Sequence, residues 1–155
     1  RDFCLSRGLG DVYKRQALKA SGLGDQFLDN LQIWRDQMAL GLTTWAEMPE
    51  PSRSDCHAWG ASPNIEFYRI LLGIDSDAPG FRKIRIAPSL GKLKEVSGTI
   101  PHPLGSVTAA YKLDERGEGT ARLVLPEGTT GIFIWDGKEI PLKPGEQVIS
   151  LSLRH

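Results

Sequence analysis

The hydrophobic period of this chain changes once, at Pro79-Gly80, and no other feature constrains the fold as much. Before that point apolar residues recur at three- and four-residue steps. Phe27, Leu28, Leu31, Trp34 and Met38 line one face of a helix expected over residues 24–40. Gly22 and Gly24 are expected to end a helix before it, and Gly41 to end this one. Ser62-Pro63 supplies an N-cap followed by proline at the first helical position, where its missing N–H costs nothing. Phe67, Ile70 and Leu71 line the helix that follows, and Gly73 suits its left-handed C-terminal cap.

After Pro79-Gly80 the period is two. Phe81 to Ile86 reads as a first strand. Val107, Ala109, Tyr111 and Leu113 alternate with Ser106, Thr108, Ala110 and Lys112, and Ala121, Leu123 and Leu125 with Thr120, Arg122 and Val124, the pattern of half-buried strands. Ile132 to Trp135 leads into Asp136-Gly137, a dipeptide that tolerates the positive φ angles of a tight hairpin, and Lys138 to Leu142 returns. Val148 to Leu153 closes the set. Helices followed by strands, without alternation, predict an α+β chain by segments, N-terminal helices and then an antiparallel β-sandwich, with a boundary near residue 80.

Composition narrows the function. Nineteen basic and nineteen acidic residues cancel and form no long block, so neither nucleic acid nor an anionic membrane is an expected partner, and a neutral substrate fits better. Cys4 and Cys56 are too few for a disulfide framework. No metal-spaced cluster, glycine-rich phosphate loop or nucleophile elbow is present, and no cofactor is expected. No apolar run approaches the roughly 18 residues of a membrane span. A soluble protein is expected, with bacterial cytoplasm, periplasm and secretion all open. Residues 1–16 lack an amphipathic period and are set aside as a leader of non-native, adaptor-derived character; the alternative is an ordinary helix through Val12, Tyr13 and Leu18.

Chemistry concentrates in the long segment between the two helical patterns, which carries Thr43, Thr44, Trp45, Glu47, Glu50, Arg53, Asp55, His57 and Trp59. Carboxylates, an imidazole and flat indoles are the parts of a sugar site, because ring C–H faces stack on indole while the polar groups bond hydroxyls. A solvated loop whose tryptophans pack on a core is the competing reading of the same residues.

The ordered series TTWAE (43–47), RSDCHAWGASPN (53–64), PGFRKIRIAP (79–88) and GTIPHPLG (98–105) resembles bacterial α-L-rhamnosidases from about Ala17 onward. The resemblance implies that residues 17–80 are the end of a six-hairpin α/α barrel and residues 81–155 the C-terminal β-sandwich domain. It also implies inverting hydrolysis, in which one carboxylic acid protonates the leaving oxygen and one carboxylate activates water on the opposite face. By the same resemblance Glu47 matches the general base, and His57 a histidine that binds sugar hydroxyls. Trp59 and Trp45 are candidates for the aromatic wall. The general acid of the family lies upstream, so the expected partners are a rhamnose-containing glycoside or polysaccharide and an upstream barrel of the same chain. Glu50 is the rival carboxylate, between two prolines, and Arg53 with Asp55 is expected to hold the loop as an ion pair. His102, between Pro101 and Pro103, is expected to serve a turn, and His155 is terminal. The alternative function is a non-catalytic carbohydrate-binding or structural β-sandwich module, to which Trp135 would offer a stacking face.

Overall fold

The computed structural model describes residues 15–48 and 51–152. Leader residues 1–14, Glu50 and His155 lie outside the described residues. The chain divides between Phe67 and Tyr68 into two compact units.

The first unit is helical. Residues 15–20 form a helix that ends at Gly22, whose φ is 74°. Two 3₁₀ turns follow, Gly24–Gln26 and Leu28–Leu31, and then helix α1, Gln32–Ala39. The helix expected over 24–40 is therefore regular only in its second half. Asn30 shows one reason: its side-chain amide donates 2.8 Å to the Gln26 carbonyl, so a side chain competes with the backbone for helical acceptors. Phe27 is fully buried and meets Phe67 edge to face at 5.3 Å. Met38, at the far end of the same stripe, is 64% exposed. Gly41, at φ 78°, ends α1 as expected.

After the loop come a 3₁₀ turn, Ala58–Ala61, and the one-turn helix α2, Pro63–Glu66. Pro63 occupies the first turn, but Ser62 does not cap it. Ser62 has helical backbone angles, and its hydroxyl accepts a hydrogen bond from Arg15 instead.

The second unit begins at Tyr68, within the π-helical turn Phe67–Leu71, and Gly73 follows. Gly73 has φ 72°, and a Cβ there would stand 2.1 Å from the carbonyl carbon of Ala87, so both conformation and space demand glycine. Among the described residues eight strands then build two four-stranded sheets. The strands are β1 Ile74–Ser76, β2 Lys83–Ile86, β3 Glu95–His102, β4 Gly105–Leu113, β5 Gly119–Leu125, β6 Thr130–Trp135, β7 Lys138–Leu142 and β8 Gly145–Leu151. One sheet has the order β1-β2-β6-β7 and the other β3-β4-β5-β8. All pairings are antiparallel except β2 with β6. Strand β1 lies before residue 80, paired Ile74 to Ile86 with β2, so the sheet starts earlier in the chain than the change of period.

The inner faces share one core. Ile74, Ile84, Ile86, Phe133 and Leu142 come from the first sheet, and Val107, Ala109, Tyr111, Ala121, Leu123, Leu125 and Leu151 from the second. The alternation read in β4 and β5 is the alternation of burial observed. Tyr111 is the largest fully buried side chain; its hydroxyl donates 2.8 Å to the Leu72 carbonyl, and burial pushes the phenol far above its usual range. Asp136 and Gly137, at φ 48° and 71°, make the expected two-residue turn between β6 and β7. Trp135 is half-buried, stacks on Phe133 at 6.4 Å and donates through Nε1 to the Ser152 carbonyl. His102 is buried at the end of β3. Its Nε2 donates to the Phe81 carbonyl at 2.9 Å and its Nδ1 accepts the Leu104 N–H at 3.1 Å, so it ties the β3–β4 turn to the segment before β2.

Candidate active site

The two motifs on either side of residues 49–50 fold against each other through their backbones. The Glu47 N–H donates to the Ser54 carbonyl at 2.9 Å, and the His57 N–H donates to the Trp45 carbonyl at 2.8 Å. Thr44 adds a hydroxyl bond to the Asp55 carbonyl. The segment around TTWAE is thereby paired with the segment SDCH, and Trp45, Glu47 and His57 come from two lengths of chain held side by side. Local sequence favours this arrangement. Gly41 ends α1, Pro51 disfavours helix, and Ser52 bonds the Ser54 carbonyl at 2.9 Å in a tight turn.

Glu47 has a side chain only 18% exposed, and its Oε1 accepts from Nη2 of Arg53. The expected Arg53–Asp55 pair is thus replaced. Asp55 is a neighbour two residues away and exposed, whereas the backbone pairing carries Arg53 across to the carboxylate on the opposite segment. His57 is half-buried, and its ring meets that of Trp59 edge to face, 6.1 Å between centroids. Trp59 is 62% exposed, so an indole face is open beside the imidazole. Trp45 is placed differently. It is half-buried with its Cβ against Gly60, where an added Cβ would approach to 2.5 Å.

Trp45 also lines a cavity of about 400 Å³ with Leu28, Leu31, Trp34, Met38 and Phe67. Apart from Arg35 and Asn64 the lining is apolar, and neither Glu47 nor His57 belongs to it. By composition that cavity suits packing rather than hydroxyl binding, so it is distinct from the polar cluster at Glu47.

Two further residues hold the site and are not evident from the motifs. Trp34 of α1 donates through Nε1 to the Gly60 carbonyl at 2.7 Å, fixing the turn that carries Trp59. Gln37 of α1 is buried, accepts the Ala46 N–H at 2.9 Å and donates to the Ala46 carbonyl at 3.3 Å. Their place on the helical period identifies them only as inward-facing. Among the described residues no group of three or more His, Cys, Asp or Glu side chains is arranged to hold a metal ion. Nor is any helix of the described residues long and apolar enough to cross a membrane.

Residues 73–146, from the left-handed Gly73 to the start of β8, match the family model of the bacterial alpha-L-rhamnosidase C-terminal domain. The match falls on the strand-rich part of the chain. Solved rhamnosidases share the fold over both segments. The native alfa-L-rhamnosidase of Aspergillus terreus is similar with a TM-score of 0.77 and 20% identity, over 88% of this chain and 18% of that one. The alpha-L-rhamnosidase of Dictyoglumus thermophilum has a TM-score of 0.65 and 19% identity, over 75% of this chain and 17% of its own. That of Streptomyces avermitilis, solved with L-rhamnose, has a TM-score of 0.58 and 21% identity, over 77% and 14%. This chain therefore spans less than a fifth of the length of each of these rhamnosidases. No curated protein matches it.

Proposed function

We propose that these residues serve an inverting glycosidase that removes terminal α-L-rhamnose from glycosides or polysaccharides, with Glu47 as the general base. The observation that carries this reading is the backbone pairing of the two motifs, Glu47 to Ser54 and Trp45 to His57, which brings carboxylate, imidazole and indole onto adjoining strands of chain. In this role Glu47 takes the proton from a water whose oxygen bonds the anomeric carbon, while an acid on the other face protonates the leaving oxygen as its bond to that carbon breaks. His57 bonds hydroxyls, and Trp59 offers its open face to the apolar side of the ring. Trp45, packed against Gly60, backs the site from behind. The partner acid and most of the pocket come from an upstream barrel outside these 155 residues.

The experiment is a comparison of two proteins: the 155-residue chain, and the same chain joined to the upstream barrel of its own reading frame. Each is given an aryl α-L-rhamnoside, and the released sugar is followed by proton NMR within seconds. The joined protein is expected to release β-L-rhamnose first, and the short chain to be slower by about two to four orders of magnitude for want of the acid. Release of the α-anomer first would reject inversion. Saturable turnover by the short chain, abolished by Glu47→Gln, would reject the missing acid.

A further inference from the structure

Gln37 is turned inward from α1 and is 6% exposed. A buried amide is costly unless both its ends are bonded, and a helix position that served packing alone would be filled more cheaply by methionine or leucine. Gln37 spends both ends on one residue. Its Oε1 accepts the Ala46 N–H and its Nε2 donates to the Ala46 carbonyl. An N–H can only donate, so chemistry itself dictates which end of the amide faces it.

The Ala46 carbonyl and the Glu47 N–H belong to one planar peptide group. That plane is held at its oxygen by Gln37 and at its nitrogen by the Ser54 carbonyl. With the plane fixed at both edges, and the preceding N–H fixed as well, the direction in which the Glu47 side chain leaves the backbone has little freedom. Catalytic groups tolerate only small errors of placement, and rate falls steeply when a base is displaced by an ångström.

We propose that Gln37 is a positioning residue for Glu47: a buried amide on α1 that clasps Ala46 and thereby sets where the candidate base stands. The proposal rests on the reading of Glu47 as that base, but the clasp is tested without any sugar, so the two fail separately.

The test is amide exchange and carboxyl NMR on the full 155-residue chain, wild type beside Gln37→Met and Gln37→Glu. Methionine keeps the volume and offers Ala46 no partner. Glutamic acid is the informative variant. In its neutral form a carboxylic acid accepts and donates through the same two positions as the amide, and when ionised it can only accept. Burial raises such a carboxyl above its usual range, so the two forms are compared at about pH 5 and about pH 8, with wild type at each pH as reference. Exchange rates are divided by those of an unstructured chain at the same pH.

Ala46 is expected to be protected in wild type and to lose protection about tenfold or more in Gln37→Met at both pH values. In Gln37→Glu the Ala46 N–H keeps an acceptor and its protection at both pH values, whereas the donor to the Ala46 carbonyl is present at about pH 5 and lost at about pH 8, and the Glu47 carboxyl resonance at about pH 8 moves in both variants. Amides of β4 and β5 stay unchanged, which separates a local effect from unfolding. Equal Ala46 protection in all three proteins would overturn the clasp. An Ala46 that responds while the Glu47 resonance stays fixed would overturn the positioning role and leave Gln37 merely structural.

Discussion

The guanidinium of Arg53 holds the carboxylate of Glu47, six positions earlier in the chain. Arg53 itself is largely exposed, with 59% of its side chain accessible, so the pair is of the kind that contributes little to stability and is weakened by salt. Raising ionic strength from about 0.05 M to about 1 M should therefore shift the Glu47 carboxyl carbon resonance in wild type and leave it nearly unmoved in Arg53→Met. Neither condition should change the melting of the sandwich by more than about 1 kcal/mol. An identical salt response in both proteins would show that the pair does not persist in solution.

Gly73 and Gly137 share a left-handed backbone, φ 72° and 71°, but not their surroundings. A Cβ at Gly73 would meet the Ala87 backbone at 2.1 Å, whereas at Gly137 nothing lies within 4 Å. Gly137→Ala should cost about 1–2 kcal/mol from backbone strain alone. Gly73→Ala should cost at least about 3 kcal/mol, because strain and a clash with main chain add. Urea midpoints of the two variants give the comparison, and equal losses would contradict the close approach.

Tyr111 predicts a dependence on alkali. Its folded-state phenol is raised by burial, so the folded protein keeps a proton that the unfolded chain gives up near the ordinary value of about 10. The resulting stability is fully present below about pH 10 and lost as the pH rises further. Wild type should lose more stability between about pH 9 and about pH 11 than Tyr111→Phe does. At neutral pH the variant should be weaker by about 1–3 kcal/mol, since the Leu72 carbonyl loses its donor. Parallel pH profiles would mean that Tyr111 ionises freely.

How much of this was legible in the sequence depends on whether a residue's partner is near it in the chain. Strands β4 and β5 announce themselves because burial alternates with every residue, and the Asp136-Gly137 hairpin because its backbone angles select those two side chains. Strand β3 does not. Gly98 and Pro101 interrupt its pattern, and proline is tolerated there because β3 is an edge strand with one side free of pairing. Strand β1 is three residues long, too short to show a period. In the candidate site the motif residues Trp45, Glu47, His57 and Trp59 stood out by type. Gln37 and Trp34 did not, because a single glutamine or tryptophan on a helix acquires its role from a partner 9 or 26 residues away. The Arg53–Glu47 pair was missed for the same reason, since backbone pairing across the loop decides which carboxylate the arginine meets.

On the proposal that these residues complete an upstream barrel, His57 and Glu47 should differ in kinetics in the joined protein. If His57 bonds hydroxyls alike in the ground and transition states, His57→Ala raises KM and changes kcat less, because uniform binding does not speed the chemical step. Steady-state rates over a range of aryl rhamnoside concentrations provide the check. A fall in kcat with KM unchanged would give His57 a part in the chemistry instead of in binding.

Glu47→Gln in that same joined protein tests the base assignment most directly. Glutamine preserves the shape and one acceptor, so substrate and water still bind, but it cannot take a proton from the attacking water. The measurement is kcat and KM for aryl α-L-rhamnoside hydrolysis by wild type and Glu47→Gln. The predicted result is a kcat lower by about two to four orders of magnitude with KM nearly unchanged. Hydrolysis at the wild-type rate would contradict Glu47 as the base and turn the assignment to Glu50 or Asp55.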